Sequence, residues 1–84
     1  MPELTEKISG LVETVVRPLI EFEDDFDISA YEESGNTIVV ELRVNEADAG
    51  KVIGRQGRII KAVRTVARAA ASQENAHVEV ELID

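Results

Sequence analysis

Two glycines, Gly54 and Gly57, break what otherwise reads as one helical run from Glu46 to Gln73. They lie inside Val52-Ile53-Gly54-Arg55-Gln56-Gly57-Arg58-Ile59-Ile60, where one apolar pair precedes the turn and another follows it. Glycine can carry the backbone through positive φ and lets a foreign group come close, because no Cβ intervenes. The break forces two helices in place of one. The first runs from Glu46 to Ile53 behind Asn45, a good N-cap residue. The second runs from about Arg58 to Gln73, with Ile59, Ile60, Val63, Val66, Ala67 and Ala70 on one broad face. A helix beginning just after Gly57 aims its free N–H groups back at the turn, where an anion is stabilised.

The flanking sequence supplies a sheet for these helices to cover. Thr37 to Val44 alternates, with Ile38, Val40, Leu42 and Val44 on one face and Thr37, Val39, Glu41 and Arg43 on the other. Ile28 to Glu33 reads as a preceding strand, and Ser34-Gly35-Asn36 as the hairpin turn between the two. Val78 to Ile83 alternates again and reads as the last strand. Before them all, Leu4, Ile8, Leu11, Val12, Val15 and Val16 recur at helical spacing, which predicts a helix over 3–17 that ends at Pro18. The acidic run from Glu21 to Asp27 reads as a solvated loop rather than a metal site, since it lacks EF-hand spacing. The expected architecture is α+β: helix, strand, strand, helix, helix, strand, with a three-stranded mixed sheet and three helices on one face. The helix pair between the second and third strands makes those two parallel.

Composition narrows the function. At 84 residues the chain is read as one domain spanning 1–84. It has no cysteine, hence no disulfide framework, thiol nucleophile or Cys-based zinc site. No stretch is long enough for a membrane span, and Glu3 and Glu6 stand where a signal peptide needs positive charge. The net charge of −8 argues at first against nucleic acid. Its distribution reverses that. Lys51, Arg55, Arg58, Lys61, Arg64 and Arg68 fall in one segment without an acid, and the rest of the chain holds all 17 acidic residues. A ligand responds to the local field over about one Debye length, roughly 8–10 Å.

Val52 through Lys61 resembles the core of a KH domain, in which a Gly-x-x-Gly loop joins two short helices and clamps about four nucleotides of backbone. The order of elements is similar to the type II arrangement. The lead-in Ala49-Gly50-Lys51-Val52-Ile53-Gly54, the continuation Lys61-Ala62-Val63-Arg64-Thr65 and the ending Glu81-Leu82-Ile83-Asp84 resemble the small bacterial stand-alone KH proteins of the KhpA (YlqC) type. The resemblance implies a cytoplasmic single-stranded RNA binder with an RNA-chaperone or post-transcriptional regulatory role. It implies a homodimer, or a heterodimer with a larger KH-containing protein of the KhpB (Jag) type. It also implies a link to cell elongation and envelope homeostasis. No cofactor, metal or small-molecule substrate follows from it. The family's loop often carries lysine where Arg55 stands; arginine's planar fork can bind a phosphate bidentately.

On this reading RNA lies across the Gly54–Gly57 turn. Turn and first-helix N–H groups meet phosphate, Arg55, Gln56 and Arg58 close over the backbone, and Lys51 and Lys61 add charge. Val52, Ile53, Ile60 and the strand edge near Val40 to Leu42 form an apolar floor for bases, although for any one of Ile53, Ile60 and Val63 a place in the core is the better reading. Phe22, Phe26 and Tyr31 stand away from the clamp, so no aromatic stacking platform is expected. Lys61, Arg64 and Arg68 read first as a solvated helix face, with a second RNA track or a contact to an acidic partner as the alternative. Replacing both glycines by aspartate is expected to abolish binding and leave the fold. Catalysis has no support: the turn is too short for a P-loop, and no Ser-His-Asp or His-rich metal pattern exists. The competing reading is a protein–protein assembly module that uses the same fold without touching RNA.

Overall fold

The computed structural model describes residues 2–83. Helix α1 (Pro2–Val16) opens the chain and presents Leu4, Ile8, Val12 and Val16, a stripe at i, i+4 spacing, to the core. Pro18 ends it as expected, one residue early, through a single 3₁₀ turn over Arg17–Leu19 in which the Ile20 N–H donates to the Arg17 carbonyl at 3.1 Å. Strands β1 (Asp27–Glu33) and β2 (Thr37–Arg43) form the hairpin. Helices α2 (Glu46–Ile53) and α3 (Arg58–Ser72) follow, and strand β3 (His77–Ile83) closes the sheet. Each boundary lies within a residue of the one read from the sequence.

The sheet order is β1-β2-β3. β1 pairs antiparallel with β2, Ala30 opposite Val40; β3 pairs parallel with β2, Val80 opposite Val40. This is the α+β architecture with three helices and a mixed three-stranded sheet that the KH-like reading required. Ile38, Val40 and Leu42 are fully buried and meet the apolar stripes of α1 and α3 in one continuous cluster. Burying each such side chain contributes roughly 1.5–3 kcal/mol against chain entropy. The other face of the sheet carries no helix. It presents Glu33, Glu41, Glu79 and Glu81, with Tyr31 donating its hydroxyl to Glu41 at 3.2 Å. Val39 is an exception to the alternation: it points to this outer face, yet is only 2% exposed between its cross-strand neighbours Tyr31 and Glu79.

The acidic segment departs most from expectation. It is exposed, as a solvated loop should be, but it is not loose. Glu23–Asp25 forms a 3₁₀ turn, and the segment is docked against α2. Asp48, which is 0% exposed, accepts the Glu21 N–H on both oxygens (3.1 and 3.2 Å) and the Phe22 N–H at 3.0 Å. Asn45 caps α2 by accepting from the Ala47 N–H at 2.8 Å, and its amide donates to Asp25 at 2.8 Å.

Candidate nucleic-acid interface

Helix α2 stops because its chain turns at Gly54. The Gly54 N–H still donates to the Gly50 carbonyl at 2.8 Å, but φ of 78° with ψ of 171° lies where only glycine is at ease. Space is as restrictive as dihedral. A Cβ placed on Gly54 would overlap the Ile59 side chain and lie 2.8 Å from the Ile59 backbone nitrogen. Gln56 (φ 58°, ψ 26°) and Gly57 (φ 73°, ψ 17°) then take two successive left-handed steps that aim α3 away from α2. At Gly57 a Cβ would meet only the Lys61 Cε, at 3.8 Å. The two glycines therefore answer different needs, close packing at Gly54 and backbone handedness at Gly57.

The turn is partly self-satisfied. The Gly57 N–H donates to the Gly54 carbonyl at 3.1 Å, and the Arg58 N–H to the Arg55 carbonyl. These amides close a 3₁₀ turn instead of facing outward as expected, because the left-handed step at Gln56 tightens the connection. The first turn of α3 has no capping side chain. Arg55, Gln56 and Arg58 are exposed. Arg58 donates to the Gln56 side-chain oxygen at 3.4 Å, and Arg55 has no ion pair among the described residues. Lys61 stands exposed one turn further on and is likewise without an ion pair among them.

Several expected contacts move to other roles. Val52 is fully buried and Ile60 nearly so, packed in the core with Val40 and Leu42; β2 is the central strand and offers no edge. Of the proposed floor, Ile53 remains exposed, at 41%. Lys51 is not a free cation. Its ammonium lies 3.2 Å from Asp48 and 3.4 Å from Glu21. The Asp48 hydrogen bond holds it above the ordinary lysine range. In turn the Phe22 N–H, then the Glu21 N–H and Lys51, hold the Asp48 carboxyl below the usual carboxylate range against the opposing effect of burial. Arg64 is half-buried and donates through Nε and Nη2 to the Val80 carbonyl at 3.2 and 3.1 Å, fastening α3 to the edge strand β3. Arg68 is exposed. Phe22, set apart from the clamp in the linear reading, is exposed on the loop that Asp48 draws against α2.

Asp48 was absent from the sequence reading. The signal was there: Asp48 lies four residues before Val52, on the inward face of α2, where helical periodicity calls for an apolar residue. Among the described residues no group of His, Cys, Asp and Glu is arranged to hold a metal ion, and no helix is long and apolar enough to cross a membrane.

Residues 9–82 match the family described as KhpA/KhpB, KH domain. The chain is similar to the RNA-binding protein KhpA of Clostridium acetobutylicum, 49% identical over 74 residues that cover 87% of this chain and 96% of that protein. The KhpA proteins of Borreliella burgdorferi (42% identical, 88% and 89% covered) and Bacillus subtilis (38% identical, 94% and 96% covered) are similar in the same way. Among solved structures, Era of Aquifex aeolicus bound to GDP and AlF4− contains the same fold, with a TM-score of 0.55 at 15% identity over 95% of this chain. The match spans about a third (32%) of the Era chain.

Proposed function

This chain belongs to the KhpA/KhpB family of KH domains, and from that premise we propose that it binds single-stranded RNA across the Gly54–Gly57 turn. One observation carries the reading: a turn that is open at Gly57, where a Cβ would meet nothing nearer than the Lys61 Cε at 3.8 Å, is bordered by exposed Arg55 and Arg58, on a molecule whose remaining surface is largely acidic. A sugar-phosphate backbone can approach such a turn closely, and the two guanidiniums can bind phosphate bidentately. Lys61 extends the positive field along α3, and Ile53 offers one apolar contact to a base. Arg64, committed to Val80, takes no part.

Neutralising about three phosphates gives a salt dependence of roughly −2 in log K against log salt. A site of about four nucleotides is weak alone, so pairing with a second copy, or with a larger KH protein of the KhpB type, raises affinity through effective concentration. The same reading puts the protein in the cytoplasm as an RNA chaperone or post-transcriptional regulator, with cell elongation and envelope homeostasis as downstream effects. The decisive variant is Gly57→Asp. Aspartate tolerates left-handed backbone, the position is open, and a carboxylate there repels phosphate. Fluorescence anisotropy with a labelled oligouridylate should show at least a roughly tenfold loss while the thermal melt moves by a few degrees. Undiminished RNA affinity in the folded variant refutes the clamp and favours the assembly module, to which exposed Val15 on α1 and Val66 on α3 offer two of the apolar contacts.

A further inference from the structure

The clamp has an anionic neighbour that is held in place. Residues 21–25, Glu21-Phe22-Glu23-Asp24-Asp25, carry four carboxylates on an already acidic chain. Self-repulsion should push such a segment away from other acids. Instead three residues of α2 and its cap secure it: Asn45 to Asp25, buried Asp48 to the backbone N–H groups of Glu21 and Phe22, and Lys51 to the Glu21 carboxylate. Because Asp48 is buried, its acceptors must stay satisfied, so this docking is more durable than a surface ion pair. Lys51 precedes Gly54 by one helical turn less a fraction, about 4.5 Å along the axis. A Lys51 ammonium held by Glu21 at 3.4 Å is therefore a cation next to the turn that is already engaged by a carboxylate.

We propose that Glu21, held in place by the docked Glu21–Asp25 segment, is a built-in competitor of the polynucleotide that occupies Lys51 and so lowers the affinity of the clamp. The proposal rests on the clamp reading above. Its geometry allows exchange. Lys51 and Glu21 are both substantially exposed, so their 3.4 Å contact is readily given up to a phosphate. When Lys51 turns away, Asp48 still accepts from both backbone N–H groups and is not left bare. The segment thus admits RNA only where phosphate outcompetes a tethered carboxylate, and this selects against isolated anions.

The test is anisotropy with a fluorescein-labelled 12-nucleotide oligouridylate on the full chain at several salt concentrations. Glu21→Gln should bind roughly threefold more tightly at low salt. Its log–log salt slope should steepen by about 0.7, the signature of one more phosphate neutralised. Lys51→Gln, which keeps an N–H donor for Asp48, should cost more affinity in the Glu21→Gln background than in the parent. Glu79→Gln, on the far face of the sheet, removes the same charge and should leave affinity unchanged. If Glu21→Gln behaves like Glu79→Gln, or Lys51→Gln costs the same in both backgrounds, the competitor is refuted. Should Gly57→Asp abolish binding while Glu21→Gln changes nothing, the competitor falls and the clamp stands. If neither the parent nor Glu21→Gln binds the oligomer, the clamp falls and takes the competitor with it. Binding seen in Glu21→Gln but not in the parent supports both.

Discussion

Two turns in this molecule share a backbone and differ in everything else. The hairpin between β1 and β2 takes successive left-handed steps at Gly35 (φ 75°) and Asn36 (φ 56°). The connection between α2 and α3 does the same at Gln56 (φ 58°) and Gly57 (φ 73°). The hairpin turn is open: a Cβ on Gly35 meets nothing within 4 Å, and Glu33 beside it is an acid. The helical turn is preceded by Gly54, packed on Ile59, and is bordered by Arg55 and Arg58. Two left-handed residues make a bend; what sets the second bend apart is the close packing before it and the local cations beside it.

The comparison can be broken at several points. The largest effect is expected at Gly54→Ala against Gly35→Ala. The first should cost roughly 3 kcal/mol by urea unfolding, since it meets both a glycine-only dihedral and a clash with Ile59. The second should cost about 1 kcal/mol, for handedness alone. This also revises the double replacement by aspartate: at Gly54 it disturbs the fold, so loss of binding there is uninterpretable, and Gly57 is the position that isolates charge. Gly35→Asp, as the matched partner of Gly57→Asp, should leave RNA affinity where it was.

A smaller effect concerns acid. The Asp48 carboxyl is held below its unfolded range, so its contribution to stability is complete above about pH 4 and is lost as pH falls through the lower folded value. Thermal melts from pH 6 to pH 2 should show this as a falling limb, and Asp48→Asn should flatten it. Lys51 has the opposite sign: its contribution is complete below the ordinary lysine range and fades as pH rises past its raised value. The smallest expected effect separates two neighbouring cations of α3. Arg64→Leu should cost about 1 kcal/mol of stability by freeing the Val80 carbonyl, with RNA affinity unchanged. Lys61→Gln should do the reverse, weakening RNA roughly twofold without moving the melt.

Much of this was legible in the linear chain. The element order, the hairpin, the break at Gly54 and the cationic segment follow from period-2 and period-3.6 patterns and from turn residues, all of which act over a few neighbouring residues. The candidate site was legible only as a list of residues. Val52 and Ile60 share the apolar character of Ile53, and only packing shows that the first two face inward while the third faces solvent. Lys51, Lys61 and Arg64 carry the same charge within one cationic segment. Lys51 is spoken for by Asp48 and Glu21 and Arg64 by Val80, while Lys61 stands exposed; the partners lie 3, 30 and 16 positions along the chain.

By itself, then, the sequence determined the secondary elements, the turn and where positive charge concentrates, because each is dictated by local stereochemistry and composition. Only the tertiary structure decided which cations are already paired, why Gly54 can carry no side chain and how an acidic loop comes to rest against α2. Those depend on which residues distant in the chain become neighbours once the core excludes water, and on the buried Asp48 carboxylate finding its donors in the backbone of a distant loop.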